Sequence, residues 1–369
     1  MIHKISMTIP IERAVEYSIM VGASLYDFAT WLPKKSFSQI VIITDNIVKK
    51  RYGLNLQKCL KRAGYISLLL SFPAGEKFKN YKTKQSIEHA MLLHHCDRDT
   101  LIVALGGGVV GDIAGFIAAT YLRGISYIQI PTTLLAMVDS SVGGKTGINT
   151  IHGKNLIGAI YQPICVVTDI ALLKTLSKKN MINGLIEAIK MFLTHDVDSF
   201  HYIESHLHHI IKGDDTLLKE IVARAVRIKT AVVCRDEKEQ GERSVLNFGH
   251  TIGHALEKIS NYTLLHGYAV AYGILVETTI SHLLGILKLE QLLIIKNLFS
   301  QLGIDGKDLK KYELTKLIQA TKKDKKARFQ KVHYTLLQKM GGAHTSNGNY
   351  VHPVADKIVR QAFKNTIEG

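Results

Sequence analysis

The sequence predicts an α/β domain over residues 1–172 followed by a mostly α-helical domain over 173–369. Three observations carry that reading: strand–helix alternation from residue 39 to about 169, a glycine triplet directly after one strand, and near loss of strand signal after residue 172. In order, QIVIITD (39–45) reads as a strand, 47–63 as a helix, 65–70 as a strand, 81–94 as a helix and 100–105 as a strand feeding the glycines. A helix to about residue 121 and a strand over 126–130, ended by Pro131, complete the series. Such alternation implies a parallel sheet covered by helices on both faces. Beyond it, helical periodicity runs over 178–195, 198–212, 216–234, 247–259, 266–287 and 291–302, and one hairpin is expected over 331–338, turning at Gly341 and Gly342.

Composition narrows the function classes. A formal charge of +16 on 369 residues suits nucleic acid, a membrane surface or a small polyanionic ligand. The basic residues are spread along the chain, with one cluster at 322–328, and aromatic residues are not interleaved with them as a single-strand-binding surface requires. Nucleic acid is therefore not expected. The N-terminal stretch carries acidic residues and Pro10 where a signal peptide needs an unbroken apolar core, and no apolar run approaches a membrane span, so a soluble, cytoplasmic protein is expected. Cys59, Cys96, Cys165 and Cys234 make no CxxC pair and are read as buried free thiols, with neither a disulfide nor a cysteine-bound metal.

Gly106, Gly108 and Gly111 form G-x-G-x-x-G between a strand and a helix, the setting in which a Rossmann-like domain closes backbone N–H groups on a pyrophosphate. The ribose-binding carboxylate expected at the end of the next strand is missing, since Gln129, Ile130 and Pro131 stand there, and Asp45 at the end of an earlier strand would supply it. A tight turn with no ligand is the plain alternative. SSVGGKTG (140–147) imitates a P-loop, but the required first glycine is Asp139, which would repel phosphates. That stretch is read as an exposed, flexible turn offering Asp139, Lys145 and backbone amides to an anionic, hydroxylated ligand, with Lys154 and Asn155 in a similar glycine-bounded segment.

In NFGHTIGHALE, His250 and His254 stand four apart on one helix face. Thr251 replaces the glutamate of a zinc-protease helix, so proteolysis is not indicated. With His266 and Glu187, one carboxylate and imidazoles around an open position would suit a catalytic zinc. Among seventeen histidines, spacing alone favours ordinary surface or core residues.

Taken together, PAGEKFK, GGGVVGDIAGFIAATYLRG, IQIPTTLLAMVDSSVGGKTGIN, GKNLIGAIYQP, GLIEAIK, DEKEQGERSVLNFGHTIGHALE, LLHG and DKK, in this order from about residue 45 to 326, resemble the 3-dehydroquinate synthase family of sugar phosphate cyclases. The resemblance implies an NAD-binding first domain and a metal- and substrate-binding helical domain, with the active site in the cleft between them. NAD would be held by Asp45, Glu76, Lys79, Gly107, Gly108, Val109, Asp112, Thr132, Thr133, Lys154 and Thr175. One Zn2+ or Co2+ would be held by Glu187, His250 and His266. Substrate contacts would be Arg123, Asp139, Lys145, Asn155, Lys190, Lys229, Arg243, Asn247, His254 and Lys325, with Glu239, His254, Lys145 and Lys190 serving catalysis and the first two transferring protons.

The substrate so implied is a small sugar acid phosphate, 3-deoxy-arabino-heptulosonate 7-phosphate. It is transiently oxidised by a recycled NAD, loses phosphate by β-elimination, is reduced again and closes to 3-dehydroquinate by an internal aldol addition, the second step of the shikimate pathway. The family also implies a homodimer. Three departures stand out: Tyr268 where the family usually has glutamate, Met191 and Phe192 in place of the usual tyrosine–glycine after Lys190, and a tail, GGAHTSNGNYVH, that matches no family motif. A related cyclase such as 2-deoxy-scyllo-inosose synthase, a metal-dependent polyol dehydrogenase that releases NADH, and a non-catalytic nucleotide-binding module are the rival readings.

Overall fold

The computed structural model describes residues 15–32, 37–322 and 332–368. Its centre is a six-stranded, all-parallel sheet built from β1 (Ser18–Val21), β2 (Ile40–Asp45), β3 (Ser67–Phe72), β4 (Leu101–Gly106), β5 (Tyr127–Pro131) and β8 (Cys165–Thr168). The strand order is β1-β8-β5-β4-β2-β3. The near-continuous apolar runs of β2 and β4 are fully buried, as a parallel sheet covered on both faces requires.

Alternate residues feed two cores. Ile40, Ile42, Leu101, Val103, Leu105, Ile128 and Ile130 face one way, while Val41, Ile43, Ile102, Ala104 and Tyr127 face the other, beneath the helices Tyr81–Leu93 and Gly108–Thr120. The first core runs on without a break into the helical half through Ile186, Ile189, Phe192 and Val270. One face of the sheet therefore buries its apolar surface against the helices of the second half of the chain.

The chain steps outward from β2 to β3, returns across β2 to β4, and then continues the other way through β5 and β8. That reversal makes β2/β4 the topological switch point, where a crevice opens beyond the carboxyl ends of the strands.

The helices Lys178–His195, Val197–Ile211, Asp215–Arg235 and Leu289–Gln301 lie within two residues of expectation. The first three start on side-chain caps from Ser177, Asp196 and Asp214. Helix His250–Ile259 starts three residues later than expected because Gly249 adopts φ +77°, and His266–Leu283 stops four residues early, just before Gly285 at φ +72°.

Other expectations need correction. The stretch 140–147, read as an exposed, flexible turn, is a mostly buried turn over 141–144 whose end, from Lys145, enters a two-stranded antiparallel hairpin, β6 (Lys145–Thr150) with β7 (Gly153–Ile160). Its glycines hid it: a Cβ on Gly158 would lie 2.0 Å from the Thr146 carbonyl oxygen, so the strands pair only because side chains are missing there. The hairpin expected near the end forms between Leu337–Lys339 and Gly342–Ala343, whereas His333–Tyr334 pairs with His352–Pro353; Lys331 lies outside the described residues. Helices Leu314–Lys322 and Asp356–Glu368 were not anticipated. All four cysteines are free thiols, but only Cys96 and Cys165 are buried, and Cys234 is exposed. No described helix is long and apolar enough to cross a membrane.

Helices His250–Ile259 and His266–Leu283 cross at glycines, and a Cβ on Gly273 would fall 1.8 Å from the Gly249 carbonyl oxygen. Gly273→Ala should therefore destabilise the fold by about 1–3 kcal/mol, as overpacking does, visible as a lower urea midpoint with an unchanged slope.

Candidate active site

The glycine turn follows directly from the sheet. Gly106 ends β4, Gly107 is extended at φ −76°, ψ −173°, and helix Gly108–Thr120 begins without a side-chain cap, which leaves its first N–H groups open. Thr133 and Ser140 crowd the turn: a Cβ on Gly107 would meet the Thr133 methyl at 3.1 Å, and one on Gly108 the Ser140 hydroxyl at 2.9 Å. The Thr132 N–H donates to the Gly106 carbonyl at 2.9 Å. Across the switch point, the Asp45 carboxylate accepts from the Ile47 and Val48 N–H groups at 2.8 and 2.9 Å, so one oxygen caps the next helix. Thr175 is fixed to the segment after β2 by the Tyr52 hydroxyl at 2.6 Å and by Arg51, which donates to its carbonyl at 2.6 Å.

Beside the turn, Lys79 pairs with Asp112 and donates to the Asn155 amide oxygen at 2.5 Å, and Asn149 donates to Glu76 at 2.8 Å. Glu76, Lys79, Asp112 and Asn155 thus form one network, with Asn149 as the member that sequence reasoning missed. An uncapped helix N-terminus at the switch point, opened by glycines whose missing side chains leave the Thr133 and Ser140 side chains in place, fits a dinucleotide pyrophosphate.

On the facing side, Glu187, His250 and His266 present ligand atoms all within 4.8 Å of one another. Glu187 Oε1 lies 3.9 Å from His250 Nε2 and 3.6 Å from His266 Nε2. It is buried and has no hydrogen-bond partner among the described residues, while Oε2 accepts from Lys190 at 2.6 Å. An orphaned buried carboxylate oxygen aimed at two imidazoles fits a divalent ion, since ligand atoms on one tetrahedral zinc sit about 3.3 Å apart. His254 stands on the same helix with its ring centroid 5.3 Å from that of His250. Tyr268, two residues past His266, packs against the hydrophobic core.

Three cations are buried here, Lys190 on Glu187 itself and Lys229 and Arg243 on neighbouring oxygens: they are 2%, 6% and 3% exposed. Lys229 donates to the Asp139 carboxylate at 2.6 Å and also to its carbonyl, and Arg243 donates to the carbonyls of Gly143 and, at 3.2 Å for the former, of Glu237 alongside. Burial works to raise the Asp139 carboxyl, but Lys229 and Lys190 hold it well below the usual range. Burial lowers the Lys229 ammonium, with Asp139 opposing and Lys190 and Arg243 assisting. Burial also acts to lower Lys190, and Glu187 and Asp139 override it, so its pKa is raised.

Asp236 organises the loop that follows. Its carboxylate accepts from the N–H groups of Gln240, Gly241 and Arg243 at 2.9, 2.8 and 3.0 Å, and these bonds outweigh burial and lower its pKa. The loop holds Glu239 at φ +58°, a left-handed conformation that costs a non-glycine residue energy, and sets its carboxylate against Lys145 and Asn247. Sequence reasoning missed Asp236. It also missed Glu277, which accepts from the Gly249 N–H at 2.7 Å and thereby fixes the turn that aims His250.

Glu257 was missed as well. Buried, it accepts from Lys154 at 2.9 Å and sits 3.3 Å from His266 Nδ1. Burial alone would raise its carboxyl, but His266 and Lys154 hold it down at about 2. Lys154 therefore reaches from β7 to the helical side of the cleft. Arg123 is not brought to the cluster: it is exposed in the turn before the amino end of β5, whereas the glycines follow the carboxyl end of the parallel strand β4, and no hydrogen bond or ion pair joins it to the site among the described residues. Lys325 lies outside the described residues.

Two family models match in succession, 3-dehydroquinate synthase N-terminal over residues 69–183 and 3-dehydroquinate synthase C-terminal over residues 184–327. A 3-dehydroquinate synthase from Nitrosospira multiformis is 40% identical over 334 residues, 89% of this chain and 90% of that protein. Among solved structures, 2-epi-5-epi-valiolone synthase from Streptomyces hygroscopicus subsp. jinggangensis, with NAD+ and Zn2+ bound, superposes with a TM-score of 0.88 at 25% identity, covering 98% of this chain and 99% of its own. A 2-deoxy-scyllo-inosose synthase complexed with carbaglucose-6-phosphate, NAD+ and Co2+ gives a TM-score of 0.87 at 24% identity over 95% and 96% of the two chains, a likeness of fold. Two consecutive family models and relatives at this identity over most of the sequence lead to one conclusion: the chain belongs to the 3-dehydroquinate synthase family.

Proposed function

We propose that this chain catalyses the 3-dehydroquinate synthase reaction as a carbon–oxygen lyase: 3-deoxy-arabino-heptulosonate 7-phosphate becomes 3-dehydroquinate and free phosphate. The observation that carries the reading is the Glu187–His250–His266 group with Lys190 buried on Glu187, accompanied by buried Lys229 and Arg243 and by an uncapped glycine turn. Lys145, Lys190, Lys229 and Arg243 face the carboxylates of Asp139, Glu187 and Glu239, an excess of one positive charge among these described residues. A divalent ion raises that excess to three, which matches a carboxylate plus a phosphate dianion.

Bound NAD supplies a hydride acceptor that is regenerated within each turnover, and a bound Zn2+ or Co2+ supplies a Lewis acid for substrate oxygens. Asp45, Glu76, Lys79, Gly107 to Val109, Asp112, Thr132, Thr133, Lys154 and Thr175 are proposed to hold the first, and Glu187, His250 and His266 the second. Lys190, Lys229, Arg243, Asn247, Asn155 and Asp139 fix the substrate's carboxylate, phosphate and hydroxyls, so that successive steps keep one orientation. His254, outside the ligand triad on the same helix face, and Glu239, oriented by Lys145 and Asn247, move the protons that elimination and ring closure require. Because Asp139, Lys145 and Lys154 belong to the proposed first domain (1–172) and their partners to the second (173–369), the cleft excludes water only when both are in place.

The proposal includes a cytoplasmic homodimer. Four free cysteines, one exposed, suit a reducing compartment. The edge strand β7 leaves Leu156, Ile157 and Ile160 about half exposed, an apolar edge that a second copy would cover. The rival cyclase reading has only likeness of fold in its favour.

Purified protein with NAD and Zn2+ or Co2+ should release phosphate and dehydroquinate from the heptulosonate phosphate without net NADH accumulation; stoichiometric NADH, or turnover of glucose 6-phosphate alone, would refute the reading. His266→Ala should lose bound metal on dialysis together with most activity, whereas Tyr268→Glu should keep both, as metal analysis of the two variants will tell. Ile157→Asp should convert a dimer to a monomer in light scattering, and a wild-type chain that is already monomeric would remove the homodimer from the proposal.

A further inference from the structure

The second cluster of ligand-type side chains, His254, Glu257 and His266, shares His266 with the first. Glu257 lies seven residues after His250 and three after His254, on the same face of helix His250–Ile259. Its backbone is pinned where the helix ends, because its carbonyl accepts from the Tyr262 N–H at 2.7 Å and from the Ser260 hydroxyl at 2.9 Å. Its carboxylate is divided between two partners, Oε1 accepting from Lys154 at 2.9 Å and Oε2 facing His266 Nδ1 at 3.3 Å. Lys154 is held in turn over the Tyr262 ring at 4.4 Å.

The opposite nitrogen of the same imidazole, Nε2, faces Glu187 Oε1 at 3.6 Å. A proton on Nδ1 directed at Glu257 leaves the Nε2 lone pair pointing into the Glu187–His250 group, the carboxylate–histidine arrangement by which outer groups fix the tautomer and ring angle of a ligand. Resting on the metal reading above, we infer that Glu257 is a positioning residue that locks His266 in its ligating tautomer and orientation, with Lys154 from β7 keeping that carboxylate in place. Glu257 then acts on the ion only through His266.

The test uses Co2+ alone as probe, with no substrate, on the full-length chain. Wild type, Glu257→Ala, Glu257→Gln and His266→Ala are titrated against a chelator while the visible Co2+ bands are followed. Glu257→Ala should weaken Co2+ binding about 10- to 100-fold, the range typical for loss of an outer partner, and should shift the bands. Glu257→Gln, whose amide oxygen still accepts from Nδ1, should lose less, and a match of its melting curve to wild type guards against misfolding in the alanine variant. Wild-type affinity and bands in Glu257→Ala would overturn the inference. Loss of Co2+ as complete as in His266→Ala would also overturn it, since Glu257 would then be a ligand. If wild type binds no Co2+ at all, the metal reading itself falls, and this inference with it.

Discussion

The structure depends on one electrostatic constraint: three cations, Lys190, Lys229 and Arg243, are taken almost wholly out of water within one cleft. Buried charges of one sign are tolerated only when carboxylates and carbonyls answer each of them. Glu187 answers Lys190, Asp139 answers Lys229, and main-chain oxygens answer Arg243. Asp139 comes from the turn Ala136–Ser140 after β5, whereas Lys229 comes from the long helix Asp215–Arg235. The pair that makes the cleft affordable also fastens the sheet to the helices, so the site and the fold share one set of contacts.

Bringing Glu187, His250 and His266 together demands close approach of three chain segments, and small residues permit it. A Cβ on Gly184 would lie 2.3 Å from the Leu135 nitrogen, and one on Gly267 would lie 2.0 Å from the Asn183 carbonyl oxygen. The helix bearing Glu187 can therefore press on the segment after β5, and the helix bearing His266 can start against it. The Asn183 side chain adds a bond from the Gly267 N–H at 2.8 Å, which sets where that helix begins. The placement of the proposed ligands is thus fixed by backbone contacts close to them in the chain, at Gly184 three residues before Glu187 and at Gly267 next to His266.

Much of this was legible in the sequence because its signals were local. β2, β4 and β5 announced themselves as β-branched runs, the glycine turn followed β4 as expected, and the long helices of the second half appeared within a few residues. The triad became legible only through the family's motifs, since spacing gave His250 and His254 as neighbours but carried no link to Glu187, some sixty positions earlier. The residues that arrange the site stayed hidden because they act by long-range contact. Asp236 works through the N–H groups of its own loop, Glu277 through a turn twenty-eight positions away, and Glu257 through a lysine on a hairpin. Arg123 shows the converse, a residue with a family motif around it that the single chain leaves before the amino end of β5, away from the glycines that follow the carboxyl end of β4.

The hairpin was the least legible element, and it joins the two halves at both of its ends. Its strands carry glycines opposite one another, Gly147 facing Gly158, which lets the ribbon lie close on helix Gly108–Thr120, where a Cβ on Gly115 would meet the Thr146 methyl at 2.4 Å. At its base Lys145 pairs with Glu239, and near its tip Lys154 pairs with Glu257. The same element holds Asn155 at φ +53°, a left-handed turn that asparagine tolerates better than most residues, against Lys79. One short ribbon thereby touches the proposed dinucleotide network, the loop of Glu239 and the partner of His266. A stretch that looks like a failed P-loop in sequence leads, from Lys145 onward, into the strip of backbone along which these parts of the proposed site are held in register.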